Sequence, residues 1–250
     1  MAMQFGILGY PLTHSFSPAW FADKFRKLGI DAQYHAFPLP DIAIFPEFRK
    51  NQTELRGLNV TIPYKESVIR YLDELDPVAE KVGAVNCIAF INGRLKGYNT
   101  DVIGFRTSLR QLLRPWHKQA LVLGSGGAAK AVTYVLAEMR IPFKVASRKP
   151  RLDDQFVTTD YELLTDELLQ QYNIVVNATP IGMYPDVDSY PPLPYSAIGE
   201  KHLLYDLIYN PAETKFLSLG KENGAAICNG HQMLVLQAEA SWEIWSRYCL

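Results

Sequence analysis

Gln119-Ala-Leu-Val-Leu-Gly-Ser-Gly-Gly-Ala-Ala129 decides the fold of this chain. Residues 119–123 form a short apolar run that reads as a buried strand, and residues 128–139 carry a helical pattern. Gly124-x-Gly126-x-x-Ala129 therefore sits between a strand and a helix, the context that makes a glycine pattern a dinucleotide loop. The first glycine permits a tight turn, the second lets backbone approach a pyrophosphate, and Ala129 suits close helix–strand packing. Gly127 adds an unhindered amide near the positive end of the helix. Ser125 and Ala128 lie in the same loop and join the candidate cofactor residues.

Downstream, residues 143–147, 174–177, 203–208 and 225–228 read as further short apolar strands, and residues 232–248 as a long amphipathic helix. Strands separated by helices imply a parallel, doubly wound sheet, here of Rossmann type. The strand after the glycine loop ends in Ala146-Ser147-Arg148-Lys149-Pro150, with no acid before Asp153. An enzyme preferring NAD usually carries an acid there to bind the ribose hydroxyls. Ser147, Arg148 and Lys149 suit a 2′-phosphate instead, with Arg148 able to bond it bidentately. NADP(H) is the expected cofactor.

Upstream, the first hundred residues alternate strand and helix patterns. Strands are expected at residues 4–9, 32–37 and 57–62, and helices at 41–50 and 64–71. Ser17-Pro18 reads as an N-cap followed by a proline at the first helical position, with Ala19, Phe21, Ala22, Phe25 and Leu28 as the apolar face. Residues 84–91 and 94–99 form a hairpin pattern around Asn92-Gly93. The expected fold is α/β, with an N-terminal α/β substrate-binding domain, a C-terminal Rossmann-type NADP-binding domain and a cleft between them. The first domain spans residues 1–101, completed by the C-terminal helix 232–250, and the second spans 102–231.

The composition fits this plan. Of 250 residues, 48% are hydrophobic, enough for one large or two small cores. The formal net charge is -1, with no basic block, so nothing favours nucleic acid or an anionic membrane as a partner. Cys87, Cys228 and Cys249 are scattered, and no Cys/His spacing suggests a metal or a redox pair. A reduced, cytoplasmic protein is expected, as monomer or homodimer. The start reads as a first strand, not a signal peptide, and no apolar run approaches the roughly 20 residues of a membrane span.

Two segments carry the chemistry. Leu58-Asn-Val-Thr-Ile-Pro-Tyr-Lys65 ends in a lysine, and Gly97-Tyr-Asn-Thr-Asp101 ends in an aspartate. A Lys/Asp couple beside a dinucleotide site is a plausible proton-handling pair for reducing a ketone or oxidising an alcohol.

With these two segments and the glycine loop, the marks His14-Ser-Phe-Ser-Pro18, Gly83-Ala-Val-Asn86, Asn177-Ala-Thr-Pro-Ile-Gly-Met183, Asp206-Leu-Ile-Tyr-Asn-Pro-x-x-Thr214 and Gly230-His-Gln-Met-Leu-Val-Leu-Gln237 follow in order. In these motifs the chain resembles the shikimate dehydrogenase family, whose members reduce 3-dehydroshikimate to shikimate with NADPH on the way to aromatic amino acids. The resemblance implies that Lys65 and Asp101 are catalytic, with Asp101 orienting Lys65. It implies that Ser15 and Ser17 bind the substrate carboxylate, that Thr61, Asn86 and Gln237 hold the ring hydroxyls, and that Tyr209 reaches the carboxylate or the nicotinamide. It also puts Asn177, Thr179, Met183, Leu207 and Gly230 among the cofactor residues. Two segments depart from the family pattern: Gly230-His-Gln-Met233 where an apolar then a small residue is common, and Ser147-Arg-Lys-Pro150 in place of Asn-Arg-Thr. Two other readings stay open, a quinate or dual quinate/shikimate dehydrogenase and a non-catalytic sensor of NADP or a shikimate-like acid.

Overall fold

A computed structural model of the protein describes residues 2–12, 16–148 and 158–249. Ser15 and Lys149 lie outside the described residues. The chain divides into two compact units, one made of Met1–Thr100 with Gln237–Leu250, the other of Asp101–Leu236.

The first unit holds a mixed sheet of strands β1 (Met3–Gly9), β2 (Ala32–Pro38), β3 (Leu55–Val60), β4 (Glu74–Leu75), β5 (Cys87–Ile91) and β6 (Arg94–Tyr98), in the order β2-β1-β3-β5-β6-β4. β1 runs parallel to β2 and β3, whereas β5 is antiparallel to both β3 and β6. The β5–β6 turn is the expected hairpin. Asn92 and Gly93 have φ of 50° and 80°, the positive values that a tight primed turn requires.

Helix α1 (Phe16–Leu28) starts one residue before the expected cap, so Ser17 lies in its first turn and is buried there. Its buried face runs through Ser17, Phe21 and Phe25, with Trp20 packed alongside. Ala19, Ala22 and Leu28 are exposed, which corrects the expected face. Residues 64–71 are also not an α-helix. They form turns ending in a 3-10 helix at Ile69–Tyr71, because the Lys65 carbonyl is taken by the Val85 amide at 2.7 Å and Ile69 N–H turns to Glu66 O. Short helices α2 (Phe45–Lys50) and α3 (Pro77–Val82) complete this part of the unit. The second is missing from the sequence reading despite its signals: Asp76 caps Val78 N–H, Pro77 opens the first turn, and Gly83 ends it with φ 66°.

The second unit is a six-stranded sheet made of β7 (Ala120–Leu123), β8 (Phe143–Ala146), β9 (Thr158–Thr159), β10 (Ile174–Asn177), β11 (Leu203–Asp206) and β12 (Ala226–Cys228). All pairs are parallel and the order is β12-β11-β10-β7-β8-β9, the doubly wound arrangement expected. Order reverses between β7 and β10, and β7 delivers the glycine loop at that switch point. Register makes the outlet flush, because Ala146, Leu123, Asn177 and Asp206 are opposite one another at the ends of four adjacent strands. Helices α4 (Asp101–Leu112), α5 (Gly127–Glu138), α6 (Asp166–Leu169) and α7 (Lys215–Glu222) belong to this unit.

The last helix, α8 (His231–Tyr248), carries the boundary between Leu236 and Gln237. Its later residues return to the first sheet. Trp245 is fully buried among Phe5, Phe21 and Tyr34, and its indole N–H donates to Ile88 O at 3.0 Å. It fills the space over Gly57, where a Cβ would come within 2.4 Å of the indole.

Candidate active site

Pleating separates the two faces of β3. Leu58 and Val60 enter the apolar core, and Asn59 points to the opposite face. There Asn59 is buried and fully engaged: Tyr34 OH donates to its Oδ1 at 2.8 Å, and its Nδ2 donates to Ser241 Oγ at 2.9 Å and to Asn86 O at 3.2 Å. Asn86, just before β5, accepts Thr100 N–H at 2.6 Å and donates from Nδ2 to Thr100 Oγ1 at 3.0 Å and to Gln237 Oε1 at 3.3 Å. Ser241 Oγ donates to Gln237 O at 2.9 Å, one turn earlier in α8. Ser17 hydrogen-bonds Tyr34, which opposes the burial that holds the Tyr34 phenol well above its ordinary value. Three expected substrate residues, Ser17, Asn86 and Gln237, thus belong to one buried polar system. The sequence reading misses Tyr34, Thr100 and Ser241 as members of it. Thr100 sits inside a quoted motif, whereas Ser241 lies in a helix that reads as plain amphipathic.

Thr61 and Lys65 bracket the turn leaving β3. Thr61 N–H donates to Leu8 O at 2.9 Å, Tyr64 N–H donates to Thr61 O at 2.9 Å, and the buried Tyr64 phenol donates to Leu39 O at 2.6 Å. The turn is therefore fixed on both sides of Lys65, whose half-buried side chain follows from that backbone. Thr100 leads directly into Asp101, the first residue of α4, which is buried at that helix N-terminus. A carboxylate suits the positive end of a helix.

In the second unit, backbone does most of the work. Gly124 has φ 102°, and a Cβ on it would lie 2.9 Å from Thr179 Cγ2 and 3.1 Å from Ala178 O. Gly126 caps α5 without a side-chain acceptor, and a Cβ there would meet nothing within 4 Å. Open space thus faces the first-turn amides of a 12-residue helix. That fits a pyrophosphate. Ser125 and Ser147 hydroxyls lie 3.3 Å apart across the ends of β7 and β8, and Arg148 is exposed beside them.

Asn177 and Thr179 build the next loop. Thr179 Oγ1 donates to Asn177 Oδ1 at 2.6 Å and accepts Ile181 N–H at 3.2 Å. Asn177 Nδ2 donates to Asp206 Oδ1 at 3.1 Å, which also accepts Ile208 N–H, and Thr214 Oγ1 donates to Asp206 Oδ2 at 2.6 Å. Asp206 is fully buried, and burial pushes its carboxyl up to about 6 against these hydrogen bonds. Neither Asp206 nor Thr214 is singled out by the sequence, although both stand at the ends of one motif. Leu207 N–H donates to Asn177 O at 3.0 Å, and Leu207 O lies where a Cβ on Gly230 would be, at 2.1 Å. Tyr209 is half-buried after β11, and Met183 is exposed after Gly182. No group of side chains among the described residues could hold a metal ion, and no described helix is long and apolar enough to cross a membrane.

Residues 7–88 match the family described as shikimate dehydrogenase substrate binding domain. A relative from Methanosphaera stadtmanae named shikimate dehydrogenase (NADP(+)) is 37% identical, with 96% of this chain and 90% of the relative covered. One of the same name from Bacillus cytotoxicus is 36% identical over 98% of this chain and 93% of its own. The crystal structure of shikimate 5-dehydrogenase from Thermus thermophilus in complex with NADP(H) and shikimate superposes with a TM-score of 0.87 at 33% identity, covering 98% of this chain and 94% of that one. Over both units, then, the chain belongs to the shikimate dehydrogenase family.

Proposed function

We propose that this protein is an NADP-dependent shikimate dehydrogenase, which reversibly reduces 3-dehydroshikimate to shikimate. The observation that carries this reading is the likeness to enzymes of that name across almost the whole chain. The first unit, with the later residues of α8, binds the substrate, and the second binds NADP(H).

In this reading Ser17, with Ser15, donates hydroxyl hydrogens to the substrate carboxylate without bringing a full counter-charge. Thr61, Asn86 and Gln237 hold the ring hydroxyls. The existing bonds of Asn86 and Gln237 support that role, because they fix both carboxamides before substrate arrives. The amides of Gly126, Gly127 and Ala128 take the pyrophosphate, Ser147, Arg148 and Lys149 take the 2′-phosphate, and Asn177, Thr179, Met183, Leu207 and Gly230 shape the nicotinamide end. When bound, NADPH supplies the hydride that the ketone carbon accepts. Charge then grows on the ketone oxygen, where the Lys65 ammonium stabilises it and delivers a proton. Asp101 orients Lys65 and offsets its charge. Tyr209 reaches the substrate carboxylate or the nicotinamide.

The deciding experiment follows nicotinamide absorbance with shikimate and quinate, each with NADP and NAD. Fastest turnover is expected for shikimate with NADP. Equal or greater turnover of quinate with NAD would overturn the substrate assignment. Tight NADP binding without turnover of either acid would make the protein a sensor.

A further inference from the structure

β1 ends at Gly9, which is buried, and β3 ends at Val60, immediately before Thr61. The two strands are parallel, with Leu8 opposite Val60, and their bonding runs on past the end of β3. Thr61 N–H donates to Leu8 O at 2.9 Å, and Tyr10 N–H donates to Ile62 O at 3.1 Å. Gly9 is thus flanked on both sides by bonds that fix its distance from Thr61. Within that frame a Cβ on Gly9 would lie 2.4 Å from Thr61 Cγ2, against 3.0 Å from Ile62 O and 3.1 Å from Leu12 Cδ2. The Thr61 methyl therefore occupies the space that a side chain at position 9 would take. A β-branched residue has few staggered positions at χ1, so placing its methyl also places its hydroxyl. Thr61 itself is half-buried, not sealed into the interior as Asn59 is.

We propose that Gly9 is a positioning residue for substrate binding: its missing side chain seats the Thr61 methyl and so aims the Thr61 hydroxyl. This rests on the reading of Thr61 as a holder of a substrate ring hydroxyl. A hydroxyl aimed before the substrate arrives loses little rotamer freedom when the bond forms. Direction matters as well, because a hydrogen bond weakens steeply as it bends. Both residues belong to the first unit, whose ligand in that reading is the substrate, so the effect falls on shikimate and not on NADP.

The test is Gly9→Ala, alone and combined with Thr61→Ser, which keeps the hydroxyl and removes the methyl. KM is read for shikimate and for NADP. Gly9→Ala should raise the shikimate KM roughly tenfold and leave the NADP KM unchanged. In the double variant the shikimate KM should return to within about twofold of Thr61→Ser alone, because no methyl remains to collide. An unchanged shikimate KM in Gly9→Ala overturns the proposal. So does a loss that persists in the double variant, which assigns the cost to Ile62 O and Leu12 instead. If Gly9→Ala alone does not fold, the double variant decides: recovery of the fold with the KM of Thr61→Ser supports the proposal, and failure to fold overturns it. An unchanged shikimate KM in Thr61→Ala would remove the role of Thr61 itself, a result separable from any effect at position 9.

Discussion

The two units solve the same problem, holding small polar molecules, with opposite materials. In the first unit the polar atoms belong to side chains, Tyr34, Asn59, Asn86, Thr100, Gln237 and Ser241, cross-linked within the interior. In the second they belong largely to backbone, presented where parallel strands end in register and where glycines leave amides uncovered. Side-chain networks tolerate backbone variation but lose much when one member is removed. Backbone sites tolerate many side chains but fail when a Cβ intrudes.

The largest expected effect is at Gly230. An alanine Cβ would overlap Leu207 O, a backbone atom that cannot swing away, so Gly230→Ala should cost about 3 kcal/mol or more in chemical denaturation. Wild-type stability in that variant would show that the backbone contact is soft and break the contrast. Asn59→Ala is its counterpart in the first unit. It leaves Tyr34 OH, Ser241 Oγ and Asn86 O short of a partner and should cost about 2–3 kcal/mol by the same measurement. A loss below about 0.5 kcal/mol would mean that water replaces the carboxamide easily.

Lys65→Ala tests chemistry, not framework. It should lower kcat on the order of 10²-fold with KM nearly unchanged, and steady-state kinetics would expose the opposite split. Asp206→Asn tests the buried carboxyl. Because its folded pKa is raised, from 3.8 to about 6, the stabilisation is present below the lower value and is lost as pH rises through the upper one. Wild-type stability should therefore fall across that window by on the order of 3 kcal/mol relative to the variant, measured by melting at a series of pH values. Gly126→Ala is the smallest structural change. Its added Cβ meets nothing, so stability should stay within about 0.5 kcal/mol, while 2′,5′-ADP binding weakens because the space before the amides is filled. Unchanged binding would detach that space from the cofactor.

Legibility follows the same divide. Most of the second sheet can be read from sequence because β7, β10 and β11 are continuous apolar runs and the loop declares itself through glycines, whereas β9, Thr158–Thr159, has no apolar run and is missed. The first unit is harder. Residues 64–71 carry a helical pattern, yet a tertiary bond from Val85 captures a carbonyl the helix would need. Ser17, Asn86 and Gln237 are found through family motifs, since no periodicity distinguishes a buried polar residue with partners from one on a surface. Ser241 and Tyr34 stay invisible for that reason. Their partners are up to 182 positions away, as with Asn59 and Ser241, and only the folded chain brings them together.

The return of α8 to the first sheet has a consequence for synthesis. Trp245 is the plug over Gly57 and lies against Phe5 and Phe21, so the earliest strands emerge with a vacancy that only the chain's last turns can occupy. The second unit is one unbroken segment and can close its core as soon as it is made. The half that is translated first is the half that is finished last.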